Sequence, residues 1–145
     1  MSASPPLKPE ALTCRDFVVP NLTTGGWYAD LHSVVEQKTF TDGRILVRGD
    51  KIRRLPKKRS DYLLHYTPDL PIAVVEAKAA YKLPEDGLQQ AKEYAQVLGL
   101  SFAYATNGHG IVEHDYTTGL ETELAAFPSP AALWPFVLQR HGHRR

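Results

Sequence analysis

Cysteine occurs once in these 145 residues, at Cys14, so neither an internal disulfide nor a cysteine-based zinc site can be built. A lone thiol with no base beside it is expected to be inert. Long apolar runs are missing too: no stretch approaches the ~20 apolar residues that span a bilayer. The opening MSASPPLKPE lacks the basic and apolar segments of a secretory signal, which sets the expectation of a cytosolic protein. No Gly-rich Walker loop is present, so nucleotide binding by that route is excluded. His65, His109 and His114 form no pair at a zinc spacing and read as turn, surface or core residues. Neither an internal repeat nor an internal linker is visible.

What is present fits one domain over 1–145 with a real core, since 43% of the residues are hydrophobic and a chain of this length buries about two-thirds of its unfolded surface. Residues 1–8, rich in Ser and Pro, are expected to be flexible, and 136–145 to form a tail or the start of a linker. The net charge of +1 hides an uneven distribution. Arg44, Arg48, Lys51, Arg53, Arg54, Lys57, Lys58 and Arg59 fall within sixteen positions, opposed only by Asp50, and are eight of the 17 basic residues. Such a span is either a solvated loop or an arm that gives sequence-independent affinity for nucleic acid phosphates.

Periodicity supplies the elements. PEALTCRDFVVPNL carries Leu12, Phe17, Val18 and Leu22 on a rough helical face. SVVEQKTF (33–40) and RILVRG (44–49) flank TDG and read as a hairpin. DYLLHY (61–66) and IAVVEAK (72–78) flank the turn TPDLP. In PEDGLQQAKEYAQVLGL, Leu88, Ala91, Ala95 and Leu98 form an amphipathic stripe that Gly99 can end in a left-handed cap. SFAYAT and GIVEHDY flank NGHG, a hairpin signal at Asn107-Gly108. SPAALWPF (129–136) reads as a short closing helix, capped by Ser129 and opened by Pro130. The expected architecture is α/β, a mixed sheet with helices packed on it.

Glu76 and Lys78 share one strand face with Val74, because alternate side chains point the same way. If the strands on either side of TPDLP are antiparallel, Asp61 lies beside them. Two carboxylates and a lysine converging on one spot suit a hard divalent cation such as Mg²⁺, with the Ala77 carbonyl as a further ligand. That is the equipment of phosphodiester hydrolysis, in which Lys78 positions or deprotonates the attacking water or stabilises the charge that develops. The plain alternative is a surface ion pair worth under ~1 kcal/mol.

Asp61, Glu76, Ala77 and Lys78 resemble the PD-(D/E)xK nuclease motif, and the element order resembles the αβββαβ core of the restriction-endonuclease-like fold. GLQQAKEYA resembles the QxxxY-type element, filled by Gln90 and Tyr94, of the N-terminal nuclease domain of type I restriction-modification restriction subunits. CRDFVVPNLTTGGW, FAYATNGHGIVEHDYTTG and FPSPAALW are similar to further segments of that domain, in the same order. The likeness covers roughly residues 10–135.

The resemblance implies a Mg²⁺-dependent endonuclease, with Mn²⁺ as substitute, acting on double-stranded DNA. Asp61 and Glu76 become metal ligands, Lys78 the catalytic lysine, and Gln90 and Tyr94 supporting residues. Arg48, Lys51, Arg53, Arg54, Lys57, Lys58 and Arg59 become DNA contacts, and Asp16 or Glu10 supplies a further acid from the first helix, Asp16 fitting better. It also implies an ATP-driven translocase following in the same subunit, and modification and specificity subunits as partners. Ser60 stands where the motif has proline. A stand-alone nuclease of repair or phage defence, and a nuclease-like module that binds without cutting, remain the alternatives.

Overall fold

In the computed structural model, residues 12–29, 31–36, 45–48, 51–54, 61–79 and 82–142 are described. The first helical stretch opens with a π-helical turn, Cys14–Val18, and continues as α1 (Val19–Thr24). Pro20 accounts for the irregularity: it has no N–H to return to Asp16, and the ladder widens there so that Val19 N–H reaches Cys14 O.

Eight strands follow: β1 (Ser33–Glu36), β2 (Ile45–Arg48), β3 (Lys51–Arg54), β4 (Tyr62–Thr67), β5 (Leu70–Ala77), β6 (Phe102–Thr106), β7 (Ile111–Asp115) and β8 (Leu120–Leu124). Six of them form a sheet in the order β1-β4-β5-β6-β7-β8, while β2 and β3 form a separate ribbon. Only β5 and β6 are parallel among the paired strands; the crossover between them carries a 3₁₀ turn (Pro84–Gly87) and α2 (Leu88–Leu98). Such a crossover is what parallel neighbours require. The sheet is therefore mixed and flanked by helices, the α/β restriction-endonuclease-like arrangement expected.

Among the described residues the hairpin expected over 33–49 is not formed. β1 pairs with β4, from Ser33 opposite His65 to Glu36 opposite Tyr62, and β2 turns back on β3, with Arg48 opposite Lys51. Two local facts explain the change. Gly49-Asp50 is a two-residue hairpin signal in its own right, and Val34, opposite Leu64, packs against the main core. β8, whose sequence LETEL has no internal apolar position, was not expected; it is a largely exposed edge strand paired only with β7.

The two sheet faces bury different partners. On one, Val18, Leu22 and Trp27 from the N-terminal stretch and Leu133 and Val137 from α3 (Pro130–Gly142) cover Tyr62, Leu64, Val75, Phe102 and Tyr104. Ser129 Oγ accepts the Ala132 N–H at 3.1 Å, the cap expected, but the helix runs through Pro135 to Gly142, into the segment expected as a tail. On the other face α2 lies on Leu63, Val74 and Ala103 through Ala91, Tyr94 and Ala95. Alanines on both sides of that seam let the helix come close to the sheet. α2 ends at Gly99, φ +70°, with Leu100 N–H donating to Ala95 O at 2.8 Å.

Candidate active site

The β4–β5 turn sets the first juxtaposition. Tyr62 pairs with Val75 and Asp61 N–H donates to Val75 O at 3.1 Å, which holds Asp61 against the end of β5 that carries Glu76. One residue further, the Ala77 N–H donates to Asp61 Oδ2 at 2.6 Å. Where β4 has not yet begun, the Asp61 side chain takes the place of a strand partner for β5.

Side-chain parity gives the second. Leu63 and Val74 lie under α2, so Asp61, Glu76 and Lys78, each two or four residues along, emerge on that same face. Gly87, at the N-terminus of α2, bears this out for Glu76 and Lys78. A methyl group added to Gly87 would stand 3.0 Å from Glu76 Cγ and 3.3 Å from both Cγ and Cε of Lys78. The two charged side chains therefore lie together against a bare stretch of backbone. Glu76 is only 6% exposed, whereas Asp61 is half-buried. A buried carboxylate is costly to hold unless something charged or polar compensates it.

Among the described residues no three His, Cys, Asp or Glu side chains converge on one point. A pair of carboxylates, completed by a main-chain carbonyl, water and a substrate phosphate, is nonetheless the habit of Mg²⁺ rather than of zinc. The buried Glu76 beside Asp61, with a side chain pressed on Gly87 where a Cβ would intrude, fits that donor set.

No protein-family model matches the chain. Over 123 residues it is 37% identical to the type I restriction enzyme EcoAI endonuclease subunit of Escherichia coli, a match covering 81% of this chain and 15% of that subunit. A solved fragment described as an HsdR subunit of a type I restriction enzyme from Vibrio vulnificus YJ016 is 51% identical, with a TM-score of 0.80. That match covers 96% of this chain and 27% of the other. Both relatives are named as subunits of type I restriction enzymes, and the chain is similar to part of each. It spans well under two-thirds of the length of either relative.

The remaining candidates fare unequally. Tyr94 is 5% exposed and packed in the core beneath α2, rather than standing at its rim. Gln90 is half-buried, with Oε1 fully buried and lacking a hydrogen-bond partner among the described residues. Neither points into solvent on the far side of α2. Because Tyr94 is core, Tyr94→Ala should destabilise by about 3–5 kcal/mol and cannot isolate a role in cleavage. Tyr94→Phe and Gln90→Ala should instead slow cleavage with melting temperatures near wild type; unchanged rates in both would remove these residues from the site.

Asp16 is not brought to the strand end: its carboxylate is 63% exposed and pairs with Arg15 Nε at 2.9 Å. The N-terminal stretch reaches the strand end through Thr13 instead, whose hydroxyl donates to Lys78 O at 2.8 Å. No sequence signal marked that residue. Glu10, Lys57, Lys58 and Arg59 lie outside the described residues, while Arg48, Lys51, Arg53 and Arg54 belong to the β2–β3 ribbon. The Ala77 carbonyl belongs to the last rung of β5, opposite Thr106. His109 is exposed in the β6–β7 turn, and His114 Nδ1 lies 2.9 Å from Glu121 Oε2.

Proposed function

We propose that this chain is the Mg²⁺-dependent DNA endonuclease module of a type I restriction enzyme, cutting phosphodiester bonds by hydrolysis. The observation that supports the reading is Asp61 bonded to the Val75 carbonyl and the Ala77 amide, on either side of Glu76, with Glu76 and Lys78 lying together against Gly87. Asp61 and Glu76 would hold the cation. Bound there, it supplies Lewis acidity toward a phosphate oxygen and charge to offset the negative charge that grows as water attacks phosphorus.

The protein's own part is orientation. Asp61 Oδ2 is fixed by the Ala77 amide, which restricts how its carboxylate can turn. Lys78, held beside Glu76, keeps an ammonium next to the scissile phosphate, where it orients water and stabilises the developing charge. Translocation on DNA and assembly with modification and specificity subunits belong to this reading, as roles of the larger enzyme. Plasmid cleavage that requires Mg²⁺ or Mn²⁺ and stops on chelation is expected of the intact enzyme; metal-independent cleavage, or none, would refute it.

The basic span supplies a second test. If it lies along DNA, neutralising Lys57, Lys58 and Arg59 should weaken binding to all sequences alike and lower the salt slope by about one per lost phosphate contact. An unchanged slope leaves the span a solvated loop.

A further inference from the structure

Lys78 lies one residue beyond the end of β5, where the ladder that fixes its backbone gives out. Its N–H still donates to Thr106 O at 2.8 Å, one more step of the parallel pairing with β6. Continued by another step, that pairing would send the N–H of residue 108 to the Lys78 carbonyl. It does not. The chain turns at Gly108, φ +92°, and Gly108 N–H goes back to Thr106 Oγ1 at 3.1 Å. The Lys78 carbonyl is met instead by the Thr13 hydroxyl, from 65 residues away in sequence, at 2.8 Å.

Thr13 is 6% exposed and packed on that same turn: a methyl group at Gly108 would stand 3.5 Å from its Cγ2 and 3.7 Å from its Oγ1. Just beyond Lys78 the chain is tied once more to the turn, through Asn107 Nδ2 donating to Lys82 O at 2.6 Å. Asn107 is itself held, its Oδ1 accepting the N–H groups of His109 at 2.9 Å and Gly110 at 3.0 Å.

We propose that Thr13 is a positioning residue for the cleavage reaction, acting through the main chain of Lys78. The inference rests on the reading of Asp61, Glu76 and Lys78 given above. Thr13 touches neither substrate nor metal. With its hydroxyl gone, the Lys78 carbonyl loses the donor that replaces a strand partner, and the backbone carrying the ammonium is free to rotate about the strand end. Misplacement by a fraction of an ångström is enough to slow a reaction whose catalysis is largely orientation.

The test uses the intact enzyme and two pairs of variants. Thr13 and Thr13→Val share a shape but not the hydroxyl; Thr13→Ser and Thr13→Ala both lack the methyl and differ in the hydroxyl. Single-turnover DNA cleavage, DNA affinity and melting temperature are measured for each, with Asp61→Asn as reference. The expected result is cleavage slowed about 10- to 100-fold in Thr13→Val and Thr13→Ala, with DNA affinity unchanged and Thr13→Ser close to wild type. Should Thr13→Val not fold, the Ser and Ala pair decides. Wild-type cleavage by the variants lacking the hydroxyl, or a loss that follows the methyl or the melting temperature, overturns the inference. Wild-type cleavage by Asp61→Asn would sink the site reading and the inference with it, whereas an inactive Asp61→Asn beside a fully active Thr13→Val sinks the inference alone.

Discussion

Asp61→Asn and Glu76→Gln are each expected to lower Mg²⁺-dependent DNA cleavage by about a thousandfold or more while the fold survives. Amide replacements are preferable to alanine for a structural reason. Asp61 Oδ2 accepts the Ala77 N–H, and alanine would leave that buried amide without an acceptor, at about 1–3 kcal/mol. Asparagine keeps an acceptor there and removes the charge. Glu76 is nearly fully buried, so glutamine relieves the desolvation of a carboxylate and should leave the melting temperature unchanged or raised. Loss of cleavage without loss of stability is the signature of a residue retained for its charge. Calorimetric titration should show weaker Mg²⁺ binding in both variants; equal affinity in wild type and both would refute a shared cation site.

The strand pair that carries Asp61 and Glu76 was legible because its logic is local. A turn at Pro68-Asp69 makes β4 and β5 antiparallel, alternation then fixes which side chains share a face, and Asp61 is brought to the end of β5 without any knowledge of the rest of the fold. The stripe of α2 was legible for the same reason, from spacing alone. What escaped depended on contacts distant in sequence. β1 chooses β4 over its neighbour in sequence because Val34 finds apolar cover against the main core, and nothing within SVVEQKTF says so. Tyr94 reads as a rim residue by spacing, yet the small Ala91, Ala95 and Ala103 leave room for its ring at the seam, and it is buried. Of the two acids expected from the first helix, Glu10 lies outside the described residues and Asp16 is exposed and paired with Arg15; the side chain seen to reach the end of β5 is that of Thr13.

Gly87 offers the other large effect, because there stability and cleavage should move apart. Its backbone, φ −94° and ψ −5°, is open to any residue, so glycine is not needed for conformation; the requirement is for space. A methyl group there would stand 3.0 Å from Glu76 Cγ and 3.3 Å from Lys78 Cγ and Cε, closer than carbons in van der Waals contact. Alanine reduces the entropy of the unfolded chain, by about 0.4–1 kcal/mol, which offsets the cost of small adjustments. Gly87→Ala should therefore keep its melting temperature near wild type while cleavage falls about tenfold, and the bulkier Gly87→Val should lose about a hundredfold. The first contact is with the buried stem of Glu76, so the misplaced ligand should also weaken Mg²⁺ binding in step with the rate. Gly87→Val cleaving at the wild-type rate would mean that Glu76 and Lys78 can be displaced without consequence, and the site would have to lie elsewhere on the sheet.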